Sequence, residues 1–101
     1  MNGPLYVLLH RAGPGWVPGA GFREQPGVGL HVGFMQELHA AGHLVLGGPY
    51  ADQPGPDGLV GMAITDFATQ QEAEEWAQRD PSLTAGLLRV EVRPWLALLA
   101  R

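Results

Sequence analysis

Between Pro4 and Trp95 the apolar residues of this chain change their period repeatedly, and the order of those changes constrains the fold more than any single motif. "PLYVLLH" (Pro4–His10) is apolar on both alternating faces, as a strand buried in mid-sheet must be. "LHVGFMQELHAAG" spaces Leu30, Phe34, Leu38 and Ala41 for one helical face, and Gly42 stops it. "HLVLGGP" reads as a strand ended by Gly47, Gly48 and Pro49. The turn chemistry of "YADQPGPDG" follows, and "LVGMAIT" is the next strand. "TQQEAEEWAQRD" opens on a capping box, Thr69 with Glu72, and turns Ala73, Trp76 and Ala77 inward. "LLRVEVRPW" alternates Leu88, Val90 and Val92 against Arg89, Glu91 and Arg93.

The order β-α-β-β-α-β predicts an α+β, ferredoxin-like fold over residues 1–101 as one domain, with a four-stranded antiparallel sheet and two helices on one face. The segment "RAGPGWVPGAGFREQPGVG" (Arg11–Gly29) is too rich in Gly and Pro for helix or strand. A connection of that length suggests a lid or pocket rim, with Trp16 and Phe22 as its apolar contacts.

This topology places the start of the first helix, the end of the second strand and the end of the second helix at one end of the sheet. His31, Gly47-Gly48-Pro49 and Asp80 therefore converge, whereas His39 and His43 lie toward the other end. A helix N-terminus disfavours an imidazolium, so His31 is expected to be a neutral proton acceptor. Asp80 lies four residues after Trp76 and just before Pro81, which makes it an N-cap for "PSLT". An aspartate so placed can also accept an imidazole N–H and fix the ring's tautomer.

Other chemistries are narrowed by composition. The chain has no cysteine and, since all six basic residues are arginine, no lysine. Thiolate, cysteine-metal, Schiff-base and P-loop chemistry are thereby excluded. A net charge of −4 with no basic run argues against nucleic acid as partner. No apolar run approaches the ~20 residues of a membrane span or has the flanks of a leader, so a cytoplasmic location is expected. His39 and His43 have the i, i+4 spacing of metal ligands, but Gly42 intervenes and no carboxylate accompanies them at helical spacing, so they read as surface histidines. Ser82 has no adjacent base in sequence, and "GPGWVPGAG" lacks the strand and helix context of a dinucleotide site.

"LHVGFMQELHAAGHLVLGGPYAD", "GLVGMAIT" and "EAEEWAQRDPSLTAGLLRVEVRPW" together resemble the YciI-like (YCII-related) domain family from about Leu30 to Trp95. The resemblance implies a dimeric α+β barrel-like assembly and a site centred on a histidine and an aspartate, here His31 and Asp80. One branch of that family dehydrochlorinates a chlorinated hydroxyquinol. Two features depart from the pattern. Arg23 is separated from His31 by "EQPGVGL", and Ser82 stands after the Asp-Pro pair where an aromatic residue is usual.

The expectation is a small homodimeric enzyme, lyase- or hydrolase-like, acting on a small organic molecule without metal or organic cofactor. His31 would be general acid/base, Asp80 would orient it, and backbone N–H groups near Gly47 and Gly48 would hold an oxyanion. The alternative is a non-catalytic ligand-binding or accessory domain with the same pocket.

Overall fold

The computed structural model describes residues 3–101. Its elements are β1 (Leu5–Ala12), α1 (Val28–Ala40), β2 (Leu44–Pro49), β3 (Leu59–Thr65), α2 (Gln70–Ala77), α3 (Pro81–Thr84) and β4 (Leu88–Trp95). The strands form one antiparallel sheet in the order β2-β3-β1-β4, the ferredoxin-like arrangement. β1 and β3 are the inner strands, hydrogen-bonded on both edges, and both carry apolar residues on each face.

Register decides which face is which. Tyr6, Leu8 and His10 point to the helices, opposite Thr65, Ala63 and Gly61. The core there joins Tyr6, Leu8 and Ala63 to Phe34 and Leu38 of α1 and to Ala73 and Ala77 of α2. Val7 and Leu9 project to the other face, where with Met62, Ile64 and Trp95 they line a groove. The pairing of β1 with β3 shifts at His10/Arg11, and Val60 joins a second cluster with Trp16, Leu87 and Leu88.

Several local readings need correction. β1 runs on to Ala12, because Arg11 pairs with Glu91 across the sheet at 2.8 Å and Arg89 Nε donates to the Ala12 carbonyl at 3.2 Å. α1 begins at Val28, after Gly27 at φ 81°, a left-handed conformation that glycine adopts without a Cβ penalty. Its inner face is His31, Phe34 and Leu38; Leu30 is 45% exposed, since each step along a helix turns the side chain by about 100°. Trp76 is half-buried, with the Arg79 guanidinium stacked 4.0 Å above its ring. The Thr69 cap is present: its hydroxyl accepts from Glu72 N–H at 3.1 Å.

The connection between β1 and α1 contains a 3-10 turn at Phe22–Glu24 and is fastened at its start and across its middle. Gly13 and Gly15 donate to the carbonyls of Leu87 and Gly86, each at 2.8 Å. The buried Gln25 amide clasps the middle: its oxygen accepts from Val17 N–H at 2.8 Å, and its nitrogen donates to the carbonyls of Val17 and Ala20 at 2.9 and 2.8 Å. Replacing Gln25 by alanine is expected to lower stability by about 1–3 kcal/mol, because those backbone groups lose their partners. Amide exchange should accelerate at Val17. An unchanged melting temperature and unchanged exchange would show that Trp16 and the two glycines hold the loop without it.

Candidate active site

The first turn of α1 and the short α3 meet beneath the loop. His31 reaches inward from α1, and its Nδ1 lies 2.6 Å from Asp80 Oδ2. Asp80 sits past the end of α2, whose C-cap is Gln78, so it does not oppose that helix's carbonyls. It caps α3 instead: its Oδ1 accepts from Ser82 N–H at 2.9 Å. One carboxylate therefore fills both roles suggested by its position, each with a different oxygen.

Asp80 is 1% exposed. Burial alone would raise its pKa, but the hydrogen bond and charge of His31 and the Ser82 N–H outweigh it and hold the carboxyl below the ordinary range. An ionised Asp80 can only accept, so His31 Nδ1–H is the donor, and in the neutral ring Nε2 is left unprotonated for other chemistry.

A third group joins them that sequence reasoning missed. His10 lies on the helix-facing side of β1, is 1% exposed, and stacks edge-on against His31 with ring centroids 4.6 Å apart. Its Nε2 has no hydrogen-bond partner among the described residues and lies 4.0 Å from Asp80 Oδ2. Burial, reinforced by the neighbouring His31 and opposed by Asp80, pushes its pKa down to about 3. The signal is present in the alternation Tyr6, Leu8, His10, which puts all three on one face.

A cavity of about 320 Å³ opens beside this cluster, between α1 and the edge strand β2. His10 and His31 form part of its wall together with Phe22, Met35 and the Gly47-Gly48-Pro49 backbone. Its lining is mostly apolar. Gly47 keeps it open: a Cβ there would lie 3.1 Å from the Met35 methyl. Phe22 is held at the rim by its N–H, which donates to Gln53 Oε1 at 3.0 Å, and its ring faces His31 edge-on at 6.1 Å.

Other expectations fared differently. Trp16 does not line the cavity; the Gly13–Gly15 bonds draw it into the cluster with Val60, Leu87 and Leu88. His39, expected at the far end of the sheet, does line the cavity, about 12 Å along α1 from His31 by helix rise. His43 pairs with Asp66 at 3.2 Å and stacks on Phe67. Ser82 is fully buried and its hydroxyl has no hydrogen-bond partner among the described residues, a poor position for a nucleophile.

Comparison with known proteins adds three findings. The model of the YCII-related domain matches residues 5–96. Protein YciI of Escherichia coli O6:H1 (strain CFT073) and its Shigella flexneri counterpart are each 34% identical over 71 residues, covering 64% of this chain and 72% of theirs. A solved structure of 5-chloro-2-hydroxyhydroquinone dehydrochlorinase (TftG) from Burkholderia phenoliruptrix AC1100, in complex with 2,5-dihydroxybenzoquinone, superposes with a TM-score of 0.60. At 22% identity, over 90% of this chain and 93% of that one, it is a likeness of fold.

Proposed function

The chain belongs to the YCII-related domain family, and from that premise we propose that it is an enzyme in which His31 moves a proton on a small organic molecule held beside α1. The observation that carries this reading is the His31–Asp80 hydrogen bond at the wall of an apolar cavity. Asp80 holds the ring and stabilises the imidazolium that forms when Nε2 takes a proton. A volume of about 320 Å³ lies near the lower end of the range for small-molecule sites, ~300–1,000 Å³, and fits a single-ring compound. Gly47 and Gly48 contribute backbone at the cavity wall, the part of the site proposed to hold an oxygen that gains charge.

The reaction class is a lyase-like elimination or a hydrolysis. In an elimination, His31 Nε2 accepts a proton from the substrate while the leaving group departs from the neighbouring carbon with the electron pair. The fold relative supplies the first probes: oxygenated six-membered rings, with and without a halogen. Incubation with chlorinated hydroxyquinols, followed by chloride release and chromatography, tests the reading. Binding of the ring compounds with no product from any of them would leave the non-catalytic reading, which the narrow 7% exposure of His31 favours.

A homodimer completes the proposal. Among the described residues no helix covers the face carrying Val7, Leu9, Met62, Ile64 and Trp95, and Arg89, Glu91 and Arg93 border it along β4. An apolar patch with a polar rim suits packing of sheet against sheet about a two-fold axis. Sedimentation equilibrium at micromolar concentration is expected to give twice the 10.8 kDa chain mass; a stable single-chain species would discard the dimer. Among the described residues no helix is long and apolar enough to cross a membrane.

A further inference from the structure

We propose that His10, His31 and Asp80 form a binding site for one divalent transition-metal ion of the kind that favours imidazole, such as zinc or cobalt. Each residue offers one donor atom, and the three atoms lie within 4.8 Å of one another. Two imidazoles and a carboxylate from β1, α1 and the start of α3 are a ligand set common to zinc and other imidazole-preferring ions.

The independent sign is His10. A polar atom so buried is ordinarily hydrogen-bonded, yet Nε2 is not, and it sits 4.0 Å from Asp80 Oδ2. That gap is too wide for a direct hydrogen bond. An ion with bonds of about 2.0–2.2 Å in tetrahedral geometry sets its donors roughly 3.3–3.5 Å apart. The observed separations fall on either side: 4.0 Å from His10 to Asp80 and 2.6 Å from His31 to Asp80. Moving Oδ2 by somewhat under ~1 Å, away from His31 and toward His10, brings these two to that spacing; the two imidazole donors, within 4.8 Å of each other, draw together by turning of the rings. Asp80 Oδ1 stays on the Ser82 N–H, an outer-shell contact that fixes the carboxylate's direction. The fourth position is left to water or a ligand from the cavity that both histidines line.

Ligation removes the proton shared by His31 Nδ1 and Asp80 Oδ2 and releases it to solvent. The ion and the His31–Asp80 hydrogen bond therefore exclude each other. An ion bound here inhibits acid–base chemistry that depends on that bond.

Metal-free protein titrated calorimetrically with zinc is expected to bind one equivalent saturably, and cobalt to give the visible absorption of a tetrahedral site. His10→Gln and Asp80→Asn should each weaken zinc binding by at least ~100-fold, because loss of an outer-shell group alone costs 10–100-fold. If either variant fails to fold, nitrogen-15 spectra of the wild-type imidazoles decide: zinc should shift His10 and His31 together and leave His39 and His43 in place. Absence of saturable binding, binding equal to wild type in both variants, or shifts confined to His39 and His43 would overturn the proposal. Metal binding without any turnover would count only against the catalytic reading; turnover without binding would count only against this one.

Discussion

Replacing His31 by glutamine is expected to reduce turnover of any accepted substrate by about 100- to 10,000-fold, the usual range for removal of a general acid–base group. Substrate binding should change far less, so the loss should appear in kcat rather than KM. Glutamine is the informative replacement because its amide can still donate toward Asp80. Alanine would leave that carboxylate, 1% exposed, without its main partner and cost about 1–3 kcal/mol of stability. That cost exceeds what a first-turn helix position would suggest. Asp80→Asn tests the orienting role separately. The Ser82 N–H needs an acceptor, so the amide oxygen stays on the cap and the amide nitrogen faces His31 Nδ1. The ring must then accept at Nδ1 and carry its proton on Nε2, the tautomer unsuited to act as a base. Turnover should fall, by less than with loss of the ring, while the cap keeps the cost in stability to ~1 kcal/mol or below. Wild-type rates in the His31 variant would remove this residue from the chemistry.

The parts of the molecule legible in sequence are those fixed by periodicity. Leu59–Thr65 reads as a strand from its composition and bounding turns, and Thr69 with Glu72 marks the start of α2 to the residue. The meeting of His31 with Asp80 follows from topology, because alternating element directions send both to one end of the sheet. What is not legible depends on how loops fold back. Trp16 looks like a ligand contact in a Gly/Pro-rich segment; only the Gly13 and Gly15 bonds to the turn before β4 reveal that it fills a core cluster. The Gln25 clasp joins backbone groups whose approach no local pattern encodes. His10 is the instructive case. Its place in the alternation marks it as buried, and a buried histidine beside two ionisable groups is a candidate for function. In the sequence those neighbours are far away, so it reads simply as the end of an apolar strand.

His10 should also shape the acid limit of the fold. Its pKa is about 3 in the folded chain against 6.5 as the ordinary value, so in metal-free buffer the unfolded chain binds a proton there over a range in which the folded chain does not. Stability then rises with pH through that interval. The contribution of a neutral His10 is complete above about pH 6.5 and is lost progressively as pH falls toward 3. Each tenfold difference in proton affinity between the two states is worth ~1.4 kcal/mol, so the loss amounts to a few kcal/mol, a large share of the 5–15 kcal/mol typical of a domain. Asp80 acts in a lower window: its folded pKa is depressed, so its contribution holds above its ordinary value of 3.8 and fades only below that. His31 and Asp80 both face the His10 ring, so the comparison needs a variant that leaves them in place. Urea unfolding of wild type should show the midpoint falling steadily from about pH 6.5 to 4, and His10→Gln should flatten that slope whatever its stability at neutral pH. Equal slopes in the two proteins would mean that His10 takes up its proton in the folded chain as readily as in the unfolded one, with Asp80 moving to meet it across the 4.0 Å gap.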